Sequence, residues 1–278
     1  MTTWLITGCS TGLGYALAEA VLAKGDNAVV TARDVSKLDT LVASLPDQAL
    51  AVELDVTDPG HIAAAVAAGT ERFGGIDVLV NNAGYGYRAA VEEGDDDHIR
   101  ELFETHVFGP VNLIKAVLPQ MRARRSGAIV NISSIGARVM PPGSGYYAAV
   151  KAALETMTGS LRKELAPLGI TALAVEPGGF RTDWAKRSMH ESTEPIEAYA
   201  ADVGARKELI RAFADHLPGN PAKVGEAVVM LAGLEEPPLR LLLGSDVLAA
   251  TRQKLAEMTA SIDEWESVTV DVGFPADS

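Results

Sequence analysis

Short apolar runs alternate along this chain with longer segments in which apolar positions recur every three or four residues. Trp4-Leu5-Ile6 is the first such run, and it stops at the glycine-rich stretch Thr7-Gly8-Cys9-Ser10-Thr11-Gly12-Leu13-Gly14. Helical periodicity follows over 15–22 and ends at Lys24-Gly25, as a C-capped helix does. Ala28-Val29-Val30-Thr31 then reads as a buried strand. The first 31 residues therefore predict strand, glycine turn, helix and strand, a right-handed βαβ unit.

The alternation continues. Helices are predicted over 34–44, 59–73, 95–122 and 144–168, with the third interrupted near Gly109-Pro110. Strands are predicted over 49–54, 76–80, 128–133 and 171–176. Strands apolar on both faces, each followed by a helix, imply a parallel sheet covered on both sides. No Pro/Gly/Ser-rich linker divides the chain, so residues 1–278 read as a single α/β domain with a doubly wound sheet in three layers. Beyond it come a helix over 221–234, a strand over 239–243 and a last helix over 245–265. The polar stretch 182–217 is long for a plain connection. It reads either as a partly helical substrate lid near 183–217 or as a surface helical pair.

Composition narrows the class. The 278 residues are 47% hydrophobic and 22% charged, which suits one large globular core. A net charge of −13 excludes nucleic acid as the main partner, because phosphate backbones require basic clusters. The single cysteine, Cys9, rules out an internal disulfide and reads as small filler in the glycine turn. Neither an apolar run of about 18 residues nor a signal pattern is seen, so the chain is expected to be cytoplasmic and without a membrane partner.

Three features carry chemistry. Gly8, Gly12 and Gly14 close a strand and open a helix, where bare backbone and free N–H groups can approach a pyrophosphate. After the second strand the first polar residue is Arg33, followed by Asp34. A guanidinium matches a 2′-phosphate through forked hydrogen bonds, so Arg33, with Ser10 and Thr11, favours NADP over NAD, although Asp34 blurs that preference. Tyr147 and Lys151 stand four apart, on one helix face. An ammonium beside a phenol is expected to lower the phenol's pKa and suit it to proton transfer. A helix-stabilising surface pair is the other reading of the same spacing.

TGCSTGLG, LDVTD, NNAG, VNISS, YYAAVK and EPGGFRTD stand in the order and spacing of one family, and over residues 3–183 the chain resembles the short-chain dehydrogenases/reductases. The tail PPLRLLLGSD resembles that family's hydroxysteroid- and retinol-dehydrogenase-like branch. The resemblance implies a Rossmann fold and a hydride exchanged between a nicotinamide and a ketone or secondary alcohol. It implies that Tyr147 is the general acid/base, that Lys151 binds the nicotinamide ribose and tunes the phenol, and that Ser134, thirteen residues before Tyr147, polarises the substrate oxygen. Ser133 is expected to point into the sheet instead. The loop residues Gly8, Ser10, Thr11, Gly12, Leu13 and Gly14 would hold the dinucleotide. Asp55 and Val56 would meet the adenine, and the turn Asn82-Ala83-Gly84 the adenosine-side ribose. Pro177, Gly178 and Thr182 would wall the nicotinamide. A homodimer or homotetramer joined through the helices at about 95–122 and 144–168 is also implied.

One position departs from the family pattern. His106 stands where an asparagine is usual, in Glu104-Thr105-His106-Val107-Phe108-Gly109. The asparagine bonds main chain at a helix kink and holds a water of the proton relay. Histidine both donates and accepts but is larger and titrates near neutral pH. His106 either substitutes in the relay, slows it, or marks a non-redox isomerase, lyase or epimerase or a dinucleotide-sensing protein on the same scaffold. His61, His98, His190 and His216 lack metal-ligand spacing and read as surface residues. Tyr85, Tyr87, Met140, Trp184 and Met189 either line an apolar substrate pocket or cover the core.

Overall fold

The computed structural model describes residues 1–182, 184 and 187–274. Asp183, which ends the EPGGFRTD motif, lies outside the described residues, as do Ala185 and Lys186 at the start of the expected lid.

The apolar runs become the strands β1 (Thr3–Ile6), β2 (Asn27–Ala32), β3 (Ala49–Glu53), β4 (Val78–Asn81), β6 (Gly127–Ile132), β7 (Ile170–Pro177) and β9 (Arg240–Leu243). All seven are parallel, in the order β3-β2-β1-β4-β6-β7-β9. A separate pair, β5 (Gly86–Arg88) and β8 (Met189–Glu191), forms a small parallel sheet. The helices are α1 (Gly12–Ala23), α2 (Asp39–Ser44), α3 (Pro59–Phe73), α4 (Asp96–Phe103), α5 (Gly109–Arg124), α6 (Gly145–Leu165), α7 (Ala205–Phe213), α8 (Pro221–Ala232), α9 (Ser245–Glu264) and α10 (Glu266–Val270). The main sheet is the doubly wound Rossmann arrangement expected from the alternation, and its order reverses between β1 and β4. Ligands bind at such a switch point, outside the carboxyl ends of the strands.

Two apolar layers flank the sheet, because strands buried on both faces need cover on both. On one side Ile6, Val30, Val80 and Val130 pack with Leu17 and Val21 of α1 and Val224 and Val228 of α8. On the other, Leu5, Val29, Leu79 and Ile129 pack with Ile62 of α3 and Leu113 and Val117 of α5. Helices α1 and α8 touch closely because Gly225 has no side chain; a Cβ there would stand 2.7 Å from the carbonyl oxygen of Ala16.

The long helix expected over 95–122 breaks earlier than Gly109-Pro110. A π-turn over Glu104–Phe108 separates α4 from α5. Pro110 lacks the N–H that would bond the carbonyl of residue 106, and the ladder widens by one residue, so that Gly109 N–H bonds the carbonyl of Glu104. The break therefore falls on His106.

The stretch near 183–217 is not a simple helical pair. It adds β8 beside β5 and a 3-10 turn at Glu197–Tyr199, then a π-turn at Ala200–Gly204 that leads into α7. Buried Glu93 anchors it by accepting from Ile196 N–H at 2.8 Å and Ala90 N–H at 2.9 Å, with the Lys207 ammonium 3.8 Å away. Burial alone would raise the Glu93 carboxyl, but these contacts together outweigh it and hold the group below its ordinary pKa.

Candidate active site

The glycine turn lies at the switch point, between β1 and α1. Gly8 and Gly12 have φ of 72° and 65°, a left-handed backbone that suits glycine. Gly14 must also be bare, since a Cβ there would stand 2.3 Å from the Gly8 carbonyl oxygen. Thr11 precedes α1 without a side-chain cap, so the first N–H groups of the helix have no side-chain acceptor. Thr182 overhangs this turn: a Cβ on Gly12 would be 3.6 Å from the Thr182 Cβ. Ser10, Thr11 and Leu13 are partly exposed around the turn.

The turn Asn82-Ala83-Gly84 braces that loop from the end of β4. Asn82 donates from Nδ2 to the carbonyls of Thr7 at 2.8 Å and Gly8 at 3.2 Å, and the N–H groups of Asn82 and Ala83 both donate to Thr7 Oγ1 at 2.9 Å. The Asn82 amide nitrogen thus positions the glycine turn. The Val56 side chain is buried beneath Gly109, leaving its main chain as the group near the strand ends. Asp55 accepts from Thr57, and its own N–H donates to His61 Nδ1 at 3.2 Å, so His61 shapes this turn and is not an idle surface residue.

Arg33 and Asp34 part company in the structure. The Asp34 carboxylate is engaged locally, with Ser36 Oγ at 2.6 Å, Ser36 N–H at 3.2 Å and Lys37 Nζ at 3.5 Å. Arg33 is exposed and makes no side-chain hydrogen bond or ion pair among the described residues.

Ser134, Tyr147 and Lys151 converge. Ser134 follows β6 and caps a short turn by accepting from Gly136 N–H at 3.1 Å, and it lies close enough to the Tyr147 phenol to favour its charged form. Ser133 points the other way, as strand alternation requires, and donates to Glu155 Oε1 at 2.5 Å. Lys151 is buried on α6; its ammonium donates to the Ile132 carbonyl at 2.8 Å and lies 5.7 Å from the Tyr147 ring centroid. Burial pushes Lys151 down to about 8, opposed by the Glu155 carboxylate. For Tyr147 the balance runs opposite to that expected from the lysine alone: burial pushes its phenol up to about 12, with only Ser134 pulling it down. The ammonium sits over the ring and is held by a carbonyl, so its pull on the hydroxyl is weaker than the desolvation of a phenolate.

His106 is buried at the π-turn, and its ring lies edge-on to Tyr147 at 5.8 Å. Its Nε2 lies 2.7 Å from the carbonyl oxygen and 3.1 Å from the N–H of Tyr85. Nδ1 is buried without a partner. Gly84 makes room for the ring, since a Cβ there would stand 2.3 Å from His106 Cε1. Burial, then the Lys151 charge, hold the imidazole well below its ordinary pKa, against the Tyr85 bond. The expected titration near neutral pH is therefore not found.

Of the apolar candidates, Trp184 lies beside Tyr147, with ring centroids 5.4 Å apart. Trp184 and Met189 crowd Gly86, and Tyr85 sits between His106 and His190. Tyr87 is core, its hydroxyl accepting from Asp95 N–H at 2.9 Å, with His98 stacked on it. Met140 is exposed and lines a cleft against α9. Pro177 ends β7 in the core, and Gly178 follows with no room for a side chain beside Asp246 and Val247. Cys9 is fully buried and its thiol is pushed up to about 12, which makes it inert packing. His216 is exposed.

Sequence reasoning missed an ion network beside the triad. Arg138, four residues after Ser134, grips Glu176 with Nε at 2.5 Å and a second guanidinium nitrogen at 2.7 Å. Glu155 and Arg240 complete the group, Arg240 Nε lying 3.4 Å from Glu155 and 3.6 Å from Glu176. Glu176 was detectable as a lone carboxylate inside an otherwise apolar strand, and Glu155 as the residue four beyond Lys151.

A doubly wound sheet with an uncapped glycine turn at its switch point, and a serine, tyrosine and lysine meeting at the next strand end, defines a dinucleotide-binding oxidoreductase. Residues 2–193 match the short chain dehydrogenase family. The chain is 41% identical over 268 residues to oxidoreductase BOA17 of Botryotinia fuckeliana, covering 96% of this chain and 97% of that protein. A short-chain dehydrogenase from Streptomyces avermitilis superposes with a TM-score of 0.92 at 45% identity, covering 98% of both chains. A gluconate 5-dehydrogenase from Burkholderia cenocepacia, crystallised with NADP and tartrate, superposes with a TM-score of 0.73 at 27% identity, covering 89% of this chain and 95% of that one. The chain belongs to the short-chain dehydrogenase family and is an oxidoreductase enzyme.

Proposed function

We propose that this protein is an NADP(H)-dependent carbonyl reductase or secondary-alcohol dehydrogenase acting on an apolar or bulky substrate. The convergence of Ser134, Tyr147 and Lys151 at the end of β6 is the observation that carries this reading. The residues present fit a nicotinamide dinucleotide: the uncapped start of α1 can receive its pyrophosphate, and Thr182 overhangs the same turn. Gly8, Ser10, Thr11, Gly12, Leu13 and Gly14 would hold the phosphates, Asp55 and the Val56 main chain the adenine. Asn82, Ala83 and Gly84 would flank the ribose, and Pro177, Gly178 and Thr182 the nicotinamide. The free guanidinium of Arg33, beside an Asp34 already engaged, supports NADP. Bound there, the nicotinamide supplies or accepts the hydride.

The chain's own residues manage the oxygen. Ser134 donates to the substrate oxygen beside Tyr147. With its pKa near 12 the phenol is protonated at neutral pH, so it can release a proton to a developing alkoxide, the direction that reduction needs. Lys151, poised at about 8, carries the nearby positive charge that offsets the phenolate so formed. Trp184 covers the phenol with an apolar wall and favours a bulky substrate. The 183–217 segment, anchored through Glu93, serves as the lid.

His106 is the only feature that points toward a non-redox reaction or a dinucleotide sensor. As a neutral brace on Tyr85 it favours neither. No helix among the described residues is long and apolar enough to cross a membrane, and a cytoplasmic location belongs to this proposal. Assembly through the helices of 95–122 and 144–168 belongs to the same proposal. The test is the absorbance of NADPH and of NADH with a panel of aliphatic, aromatic and polycyclic ketones. Turnover with NADPH is expected; tight dinucleotide binding with no oxidation by any ketone would refute the reading.

A further inference from the structure

Helix α9 leaves the body of the protein soon after it starts. Val247 and Thr251 are buried against the body, but residues 255–264 are all exposed. Such a segment needs only polar residues, yet α9 carries a stripe at Leu248, Thr251, Leu255, Met258, Ile262 and Trp265. The spacing alternates three and four, which is the period of a helix seam that meets another helix. Apart from buried Thr251 these side chains are 43% to 63% exposed. At the base of the helix Thr251, Lys254, Leu255 and Met258 line an open cleft of about 250 Å³ with Ala137, Arg138 and the exposed Met140.

We propose that this face of α9 is an interface with a second copy of the chain, the two α9 helices lying antiparallel about a two-fold axis between Ala256 and Glu257. That register sets Leu255 opposite the partner's Met258, Leu248 opposite the partner's Trp265, and Thr251 opposite the partner's Ile262. Every stripe position then meets another stripe position, as a self-complementary two-fold contact requires. The partner's Ile262 comes to lie over the cleft. Charge agrees with this direction: Arg252 and Lys254 lie near the base of α9, and Asp263, Glu264 and Glu266 near its far end, so an antiparallel pair sets unlike charges together. Five apolar side chains per helix have on the order of 100 Å² each to cover, or roughly 1,000 Å² in all, about the lower limit for a specific interface. The acidic far end opposes docking on an anionic lipid surface.

The experiment is sedimentation velocity on the full chain and on the Met258→Glu/Ile262→Glu variant, whose substituted positions are exposed and leave the core untouched. A two-fold drop in assembly mass, with the circular-dichroism spectrum and NADPH oxidation unchanged, is expected. An unchanged mass, or a wild-type chain that is already monomeric, overturns the proposal. The register is read by oxidative cross-linking, for which buried Cys9 is silent. An equimolar mixture of Leu255→Cys and Met258→Cys chains should cross-link more strongly than either alone, and the reverse order overturns the antiparallel pairing. Flotation with vesicles of phosphatidylcholine and phosphatidylserine should leave the protein unbound. Binding that the glutamate variant abolishes, with no change in mass, would assign the stripe to lipid instead.

Discussion

Replacing His106 with asparagine separates a structural histidine from a chemical one. The imidazole spans from the π-turn to the main chain of Tyr85 and fills the space that Gly84 leaves open. The shorter amide gives up the contact at 2.7 Å and leaves a buried carbonyl short of its donor. A buried polar group without a partner costs about 1–3 kcal/mol, and the smaller side chain adds lost packing, so His106→Asn should destabilise the fold by roughly 2–4 kcal/mol. Acid sensitivity gives an independent reading. The folded-state pKa of His106 is depressed below the unfolded value of about 6.5, so the unfolded chain takes up the proton first as pH falls. Native stability is then lost on acidification below about pH 6.5, with a slope approaching 1.4 kcal/mol per pH unit from this one group. The asparagine variant lacks that contribution, and its stability should fall less steeply with acid. Urea melts of both proteins between pH 5 and 8 measure this, and steady-state NADPH oxidation measures catalysis. Turnover should stay within about tenfold, since no proton-transfer group is removed. Equal acid slopes would refute the buried neutral imidazole, and complete loss of turnover in a folded variant would show that the histidine has a chemical role.

Tyr147→Phe should lower kcat by about 10²–10⁴-fold while leaving NADPH affinity, followed by fluorescence titration, nearly unchanged. Arg33→Ala should raise the KM for NADPH much more than that for NADH, since a charge-assisted hydrogen bond to a phosphate contributes about 1.5–3 kcal/mol; equal changes for both would remove the argument for NADP. Arg138→Met leaves buried Glu176 with only the longer Arg240 contact and should cost about 2–4 kcal/mol in a denaturant melt, of which Arg138→Met/Glu176→Gln should recover a large part.

The sheet was legible because its strands are short apolar runs set between segments of helical periodicity. The glycine turn was legible too, since three glycines between a strand and a helix suit a close approach of bare backbone and little else. The break in the helix over 95–122 was misplaced because proline acts on the residue four before it, so Pro110 moves the irregularity to His106. The pKa of Tyr147 was illegible for a different reason. Spacing places Lys151 on the same helix face but says nothing of the Ile132 carbonyl that holds its ammonium over the ring, or of the burial that opposes a phenolate. Asn82 and Val56 show the same limit, as only the fold reveals that one amide nitrogen braces the Thr7 and Gly8 carbonyls and that one side chain is buried in the core. The charged cluster of Arg138, Glu155, Glu176 and Arg240 joins residues up to 102 positions apart, counted from 138 to 240, and sequence proximity cannot suggest it.

That cluster bears on how the enzyme can be re-engineered. The loop from Ser134 to Ser144 is the obvious segment to exchange when a new substrate range is wanted, yet its Arg138 is bonded to a carboxylate on β7 and shares that carboxylate with Arg240 beside it. A transplanted loop lacking the arginine would arrive with two acids beneath it and half the cations that balance them. Loop and strand ends therefore form one exchangeable part, and donor sequences are best chosen by whether they supply arginine and glutamate together.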